Sequence, residues 1–323
     1  MRAAFVGCGR FSGSRIYPSL KPAGLDLVAV CGRSREKTEA RAAAYGIDAV
    51  FYDPVEMCRA VNPDVILVVA GPQGHYEIGR QLIPLGRPVW MEKPCAENAE
   101  QAEELARLAR EAGVHVQVGF NYPYSLGIQK AANLIASGAF SSPAMVSVYW
   151  GLGEPDTRRF LLHYACHAVQ LLHALTPGGL AGRMPEHVAH ERRDGLDWIR
   201  ATFRSPSGCI ATLELSAQMP GPGHWSRVEL HGKSGLLAIR DFTEVTFHEA
   251  APWGALLKPG GKGWDGDRIW RTEPILFRES IEHAMGYVPE LACFREIAQG
   301  HRPPEATIED AAWGMRVLDR LSA

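Results

Sequence analysis

The chain has 323 residues, 46% of them apolar and 22% charged, with a formal net charge of −2. That composition suits a globular protein with room for two domains, and the near-neutral balance excludes the broad electrostatic footprint of a nucleic-acid or anionic-membrane binder. Seven cysteines, none in a C-x-x-C pair, argue against a disulfide framework or a structural zinc site, and with no signal-like or membrane-spanning stretch the expected location is cytoplasmic.

Residues 2–7 form a short apolar run ending in glycine, the pattern of a buried parallel strand. "FVGCGRFSGSRI" carries Gly7-x-Gly9 into the following helix. Glycines at this turn let a pyrophosphate reach backbone N–H groups at a helix N-terminus. The third glycine of the G-x-G-x-x-G pattern is replaced by Ser12, with Gly13 one place late. "IYPSLKPAG" reads as a helix and its exit, and "LDLVAVCGR" as a second strand. "SREKTEARAAAYG" reads as a helix capped by Ser34 and stopped by Gly46. Then come "PDVILVVAGP" (strand), "HYEIGRQLIPLG" (helix), "RPVWMEKP" (strand), "NAEQAEELARLAREAG" (helix ending at Gly113) and "VHVQVGF" (strand). This alternation predicts a doubly wound parallel sheet over residues 1–120.

From residue 121 to 323 the texture changes, and a second domain is expected. A helix "IQKAANLIASG" leads into "AMVSVYWG", and "RRFLLHYACHAVQLLHAL" is a second helix. Six short strands with hairpin turns at 206–208 and 232–235 follow, giving an α+β domain with a large, mostly antiparallel open sheet. Its alternating strands leave one face to cover. Residues 251–270 read as a long loop, and helices are expected near 279–299 and 307–321.

A dinucleotide site for NAD places a carboxylate at the end of the second strand, on the ribose 2′-OH. Here the chain reads "VCGRSREK", with Gly32, Arg33, Ser34 and Arg35. A guanidinium binds a 2′-phosphate that a carboxylate would repel, so NADP(H) is the preferred cofactor and NAD(H) the possible one.

Lys93 is one of only seven lysines, held between Glu92 and Pro94 in "WMEKPCAE". Pro94 biases it away from helical geometry, and the Lys93–Pro94 bond is a place where a cis peptide is affordable. Glu92-Lys93-Pro94, the glycine loop at 7–13, "AGPQGHYE" at 70–77, "VGFNYPYS" at 118–125, the helix around His167 and the closing "ATIEDAAWGMRVLDRL" together resemble the Gfo/Idh/MocA oxidoreductases, nearly end to end. The resemblance implies a Rossmann domain followed by an open-sheet domain often used for oligomerisation, hence a homodimer or homotetramer. It also implies a small carbohydrate-type substrate: a sugar, amino sugar or cyclitol. In such enzymes the lysine projects toward the nicotinamide and the reacting hydroxyl or ketone. The expected cofactor contacts are Gly7, Gly9, Arg10, Ser12, Arg33 and Ser34, joined through the resemblance by Pro72, His75, Glu92 and Asn121.

Oxidising a secondary alcohol requires a base for the hydroxyl proton and a positive group near the oxygen where charge develops. Lys93 supplies the charge. His163 and His167 stand four apart, on one face of an α-helix. The family commonly carries Asp-x-x-x-His here. His167 matches the histidine as acid/base, and His163 replaces the aspartate, departing from the pattern. Tyr122, Tyr124, Arg158 and His163 are further substrate candidates, with Trp150, Glu154, Asp156 and Tyr164 behind them. Two histidines at this spacing can hold zinc, but neither H-E-x-x-H nor a third ligand accompanies them, so no metal is expected. Two other functions share this frame: a nicotinamide-dependent glycosidase with redox-neutral turnover, and a non-catalytic sensor.

Overall fold

The computed structural model of the chain describes residues 1–219, 224–250, 268–271 and 281–322. It divides into two compact units. The first combines Met1–Asn121 with Gly286–Arg320, and the second is built from Tyr122–Met285 with the last residues of the chain. The expected division, with everything past residue 120 in the second domain, therefore differs from the structure. The C-terminal helices return to the first unit.

In that unit a six-stranded sheet runs β3-β2-β1-β4-β5-β6 with every pairing parallel. Its strands are β1 (Arg2–Val6), β2 (Asp26–Cys31), β3 (Val50–Phe51), β4 (Val65–Val68), β5 (Val89–Glu92) and β6 (Val116–Gly119). Strands β4, β5 and β6 are buried along their whole length, as a sheet covered on both faces requires. A π-helical turn at Ser12–Ile16 runs into α1 (Tyr17–Leu20), and α2 (Arg35–Tyr45), α3 (Pro54–Val61), α4 (Pro72–Leu82) and α5 (Ala99–Ala112) follow their strands. The local chemistry sets these bounds. Ser34 accepts the Lys37 N–H and Gly46 ends α2 in the left-handed region; Asn98 and Gly113 do the same for α5.

Helices α10 (Tyr287–Ala298) and α11 (Ile308–Ser322) belong here because of what their apolar faces bury. Val288, Leu291 and Phe294 pack into one core with Phe5, Tyr17, Leu67 and Trp90. Residues just before α11 extend the edge beside β6, where Val118 N–H donates to the Ala306 carbonyl at 2.9 Å.

The second unit is an eight-stranded sheet of order β14-β13-β12-β11-β7-β10-β9-β8. Its strands are β7 (Met145–Leu152), β8 (His187–Arg193), β9 (Leu196–Arg204), β10 (Ile210–Ala217), β11 (His224–Gly232), β12 (Gly235–Arg240), β13 (Glu244–Glu249) and β14 (Arg268–Arg271). All pairings are antiparallel except β7 with β10. Helices α6 (Leu126–Ala136) and α8 (Cys166–Leu175) pack on one face; α7 (Thr157–Phe160) precedes α8, and α9 (Ile281–Ala284) ends the unit. Of the loop expected at 251–270, residues 251–267 lie outside the described residues and 268–270 belong to β14. The first residues of the helix expected at 279–299 also lie outside them.

Candidate functional site

A cleft of about 810 Å³ opens in the first unit at the carboxyl ends of β1, β2 and β4. The strand order reverses between β1 and β4, the crevice where doubly wound sheets take ligands. It brings together Gly7, Gly9, Arg10, Ser12, Arg33, Ser34 and Pro72 of the expected cofactor contacts.

Gly7 has φ +123°, and a Cβ on it would lie 1.9 Å from the Val69 carbonyl oxygen, so no other residue fits. Gly9 is the opposite case. A Cβ there would meet nothing within 4 Å, so its backbone faces open cleft and a phosphate can approach. Ser12 turns its hydroxyl onto the carbonyl oxygens of Gly9 (3.0 Å) and Gly7 (3.2 Å) and ties the loop to itself. The displaced Gly13 serves a different need: a Cβ there would sit 2.0 Å from the Arg41 guanidinium, which lies over the Tyr17 ring.

Gly32 stands at the end of β2, where a Cβ would lie 2.6 Å from Thr38 Oγ1 and 3.1 Å from Cys8 Sγ. Around it the cleft wall carries Arg33, Ser34 and Lys37. Arg35 is engaged elsewhere, its guanidinium 4.5 Å from the Tyr52 ring centre and 3.4 Å from the Glu39 carboxylate. Sequence reasoning missed Lys37. A lysine in the first turn of a helix opposes the macrodipole, and that local cost was its signal. Asp53 also lines the cleft, but its carboxylate caps α3 by accepting the Glu56 N–H at 2.7 Å. These residues fit a dinucleotide: an open backbone at Gly9, and a cationic rim at the end of β2.

His75, Glu92 and Asn121 are buried rather than set in the cleft wall. His75 has a supporting position instead. His75 Nε2 accepts the Ala70 N–H at 2.8 Å, so Nδ1 carries the proton and donates to the Pro94 carbonyl at 2.8 Å. The imidazole thus pins the loop after β4 to the cis Lys93–Pro94 turn. Burial lowers its pKa from 6.5 to about 4, against the pull of the Pro94 bond, and the nearby Lys93 charge adds to the lowering. Such a depressed value contributes stability that is present above pH 6.5 and is lost as pH falls through about 4. His75→Gln is therefore expected to lose less thermal stability than the parent between pH 7 and pH 4, a difference readable in a pH series of unfolding curves. Glu92 works in the opposite sense but is common to both proteins.

Lys93 follows β5 directly, and Glu92 beneath it is buried. Burial pushes the Glu92 carboxyl up to about 7, opposed by the Lys93 charge and the Lys93 backbone N–H.

In the second unit His167 lies on α8 and is 7% exposed. The Tyr122 ring meets it edge-on at 4.7 Å, Trp150 stacks on it at 6.0 Å, and Phe242 stacks under Tyr122 at 4.2 Å. His163 is half-buried and lies in a π-helical turn at Leu161–Ala165 between α7 and α8. The four-residue rule that placed both histidines on one face assumes 3.6 residues per turn, and that geometry does not hold across this turn. Tyr124 is buried and Arg158 is exposed. Asp156 caps α7 by accepting the Arg159 N–H, and Glu154 pairs with Arg159 at 3.4 Å, so both serve the local fold. Among the described residues no three His, Cys, Asp or Glu side chains form a metal-binding group, and His173 Nδ1 accepts the Leu180 N–H.

Residues 1–120 match the model of the oxidoreductase family with an NAD-binding Rossmann fold. An inositol 2-dehydrogenase of Klebsiella pneumoniae (strain 342) is 33% identical over 237 residues, covering 71% of this chain and 70% of that protein. A D-glucoside 3-dehydrogenase of Escherichia coli (strain K12) is 32% identical over 140 residues, 43% of this chain and 40% of that protein. Among solved structures, a dehydrogenase from Chromobacterium violaceum superposes with a TM-score of 0.85 at 23% identity, covering 100% of this chain and 94% of that one.

Proposed function

We propose, from the premise that this chain belongs to the Gfo/Idh/MocA family of oxidoreductases, that it is an NADP(H)-preferring dehydrogenase acting on a hydroxyl or ketone carbon of a sugar, amino sugar or cyclitol. The relatives that support this substrate class act on inositol and on a D-glucoside. They give no support to a redox-neutral glycosidase or a non-catalytic sensor. The observation carrying the cofactor preference is the rim at the end of β2, where Gly32 replaces a carboxylate and Arg33, Ser34 and Lys37 offer two positive charges and a hydroxyl.

Gly7, Gly9, Arg33 and Lys37 would hold the dinucleotide, which would supply hydride transfer at its nicotinamide; the chain's own groups handle position and protons. Lys93 supplies positive charge to the substrate oxygen. His167, oriented by Tyr122 and Trp150, takes the hydroxyl proton during oxidation and returns it during reduction. His163 assists by orienting substrate. His75 keeps the cofactor loop and the Lys93 turn in register.

The protein is read as a homodimer or homotetramer. The sheet face opposite α6 and α8 supports this, since Trp198 and Trp225 are each 41% exposed there, in rungs of β9 and β11. Mixing the protein with NADP⁺ or NAD⁺ and a panel of sugars, amino sugars and inositols tests the reading. Reduced nicotinamide should accumulate with NADP⁺ and one substrate class. Faster turnover with NAD⁺ would remove the stated preference.

A further inference from the structure

Buried ionisable groups are costly, so each one needs a reason. Glu290, on α10, has none in the chemistry described so far, and it is fully buried. Its neighbours on the same helix, Val288, Leu291 and Phe294, pack against Trp90 of β5. Successive even positions of a strand share one face, so the Glu92 side chain points the same way as Trp90, toward α10. Glu92 pairs in register with Gly119 of β6, and Phe120 follows it in the chain.

Two buried carboxyl groups thus face the same side of β5, near enough for the charge of one to act on the other. The nearest donors to Glu290 are the Trp90 indole N–H and the Phe120 backbone N–H. Neither closes to hydrogen-bond geometry: no donor reaches either Glu290 oxygen and the indole nitrogen finds no acceptor, while the Phe120 N–H donates to the Val118 carbonyl at 2.8 Å. The other titratable groups on adjoining elements are Lys93 beyond Glu92, His75 beyond Lys93, His115 beside Phe294, Tyr17 in the shared core, and Arg295 one turn along α10. Two carboxylates cannot both ionise here with Lys93 as the adjoining cation, so one holds its proton. Burial first and the Glu92 charge second hold Glu290 well above the usual carboxylate range, whereas Glu92 has Lys93 to favour its anion.

We propose that Glu290 is a positioning residue: as a neutral carboxylic acid it presents its O–H to the Glu92 carboxylate and so keeps Glu92 ionised beneath Lys93. No proton is transferred in turnover; Glu290 acts on Lys93 through Glu92. The importance of Lys93 rests on the function proposed above, but the protonation of Glu290 does not.

Two measurements separate the parts. Difference infrared spectra of the parent protein at pH 8 should show the C=O stretch of a buried, protonated carboxyl group, lost in Glu290→Gln and kept in Glu92→Gln. This readout needs neither cofactor nor substrate. A parent spectrum without that band would overturn the inference even if the enzyme proves to be the proposed dehydrogenase. The second is the pH profile of kcat. Glu290→Leu, close in volume and apolar, removes the donor, so the acid limb should move up by about one pH unit as Glu92 holds its proton longer. Glu290→Gln keeps a donor and should leave the limb within about 0.3 units of the parent. An acid limb in Glu290→Leu that coincides with the parent's would show a merely structural carboxyl and sink the proposal.

Discussion

Replacing Lys93 with alanine is expected to lower kcat by about 10²–10⁴-fold while leaving the dissociation constant for the nucleotide within about threefold. In the proposed reaction the substrate oxygen gains negative charge as hydride leaves the carbon. An ammonium fixed beside that oxygen is worth more in the transition state than in the ground state, so its loss appears in kcat. In the proposed site nucleotide binding falls to other parts of the chain, the cleft-lining loop at 7–13 and the rim at the end of β2. His167→Ala should give a loss of similar size, because it removes the proton acceptor. Lys93→Arg tests whether the charge alone suffices, because it preserves the positive charge but not the shape of the ammonium. Rates from steady-state assays and nucleotide affinities from calorimetry decide the matter. A Lys93→Ala variant that keeps near-parent kcat would remove the lysine from the mechanism.

Most of the first unit was legible because its signals are local. Ser34 and Gly46 bracket α2, Asn98 and Gly113 bracket α5, and the buried strands are continuous apolar runs. The elements that escaped were short or decided by distant partners. Strand β3 is two residues long and has no period to read, though Asp53-Pro54 is an N-cap and first-turn proline that announces α3. Helices α10 and α11 have clear apolar faces, but a periodicity cannot say which core a face will fill. Phe294 chose the core of Phe5 and Trp90. The parallel pairing of β7 with β10 is likewise a long-range choice.

The candidate site was legible to a similar degree. The glycine loop and Arg33 line the cleft where their positions in the sequence put them, while the signal of Lys37, a cation in the first turn of α2, was local but went unread. Gly13, one place late for the G-x-G-x-x-G pattern, has a reason that only the packed chain shows: it makes room for Arg41. The π-helical turn before α8 was invisible: nothing in "LLHYA" distinguishes five-residue from four-residue hydrogen bonding. Glu290 was read as one more residue of a helix, because burial of a charge is a property of the packed chain.

Removing the cations at the end of β2 should produce the second large effect. Arg33→Ala with Lys37→Ala is expected to weaken NADP(H) binding by about 10²–10³-fold and NAD(H) binding by less than about threefold. Each charge-assisted contact to a phosphate is worth roughly 1.5–3 kcal/mol and the two act on one group. Equal losses for both nucleotides in parallel titrations would mean the charges serve the shared pyrophosphate rather than a 2′-phosphate. The reverse change is harder, for a reason set by packing. Installing the carboxylate of an NAD site by Gly32→Asp places a Cβ 2.6 Å from Thr38 Oγ1, and that hydroxyl is committed to the Ser34 carbonyl at 2.7 Å. The single substitution should therefore weaken both nucleotides. Adding Thr38→Ala removes the shorter contact and leaves only the tight one to Cys8 Sγ at 3.1 Å, so the double variant should recover NAD binding above the level of Gly32→Asp alone. A Gly32→Asp protein that already binds NAD as well as the double variant would show that Thr38 moves aside freely and that the rim does not enforce its glycine.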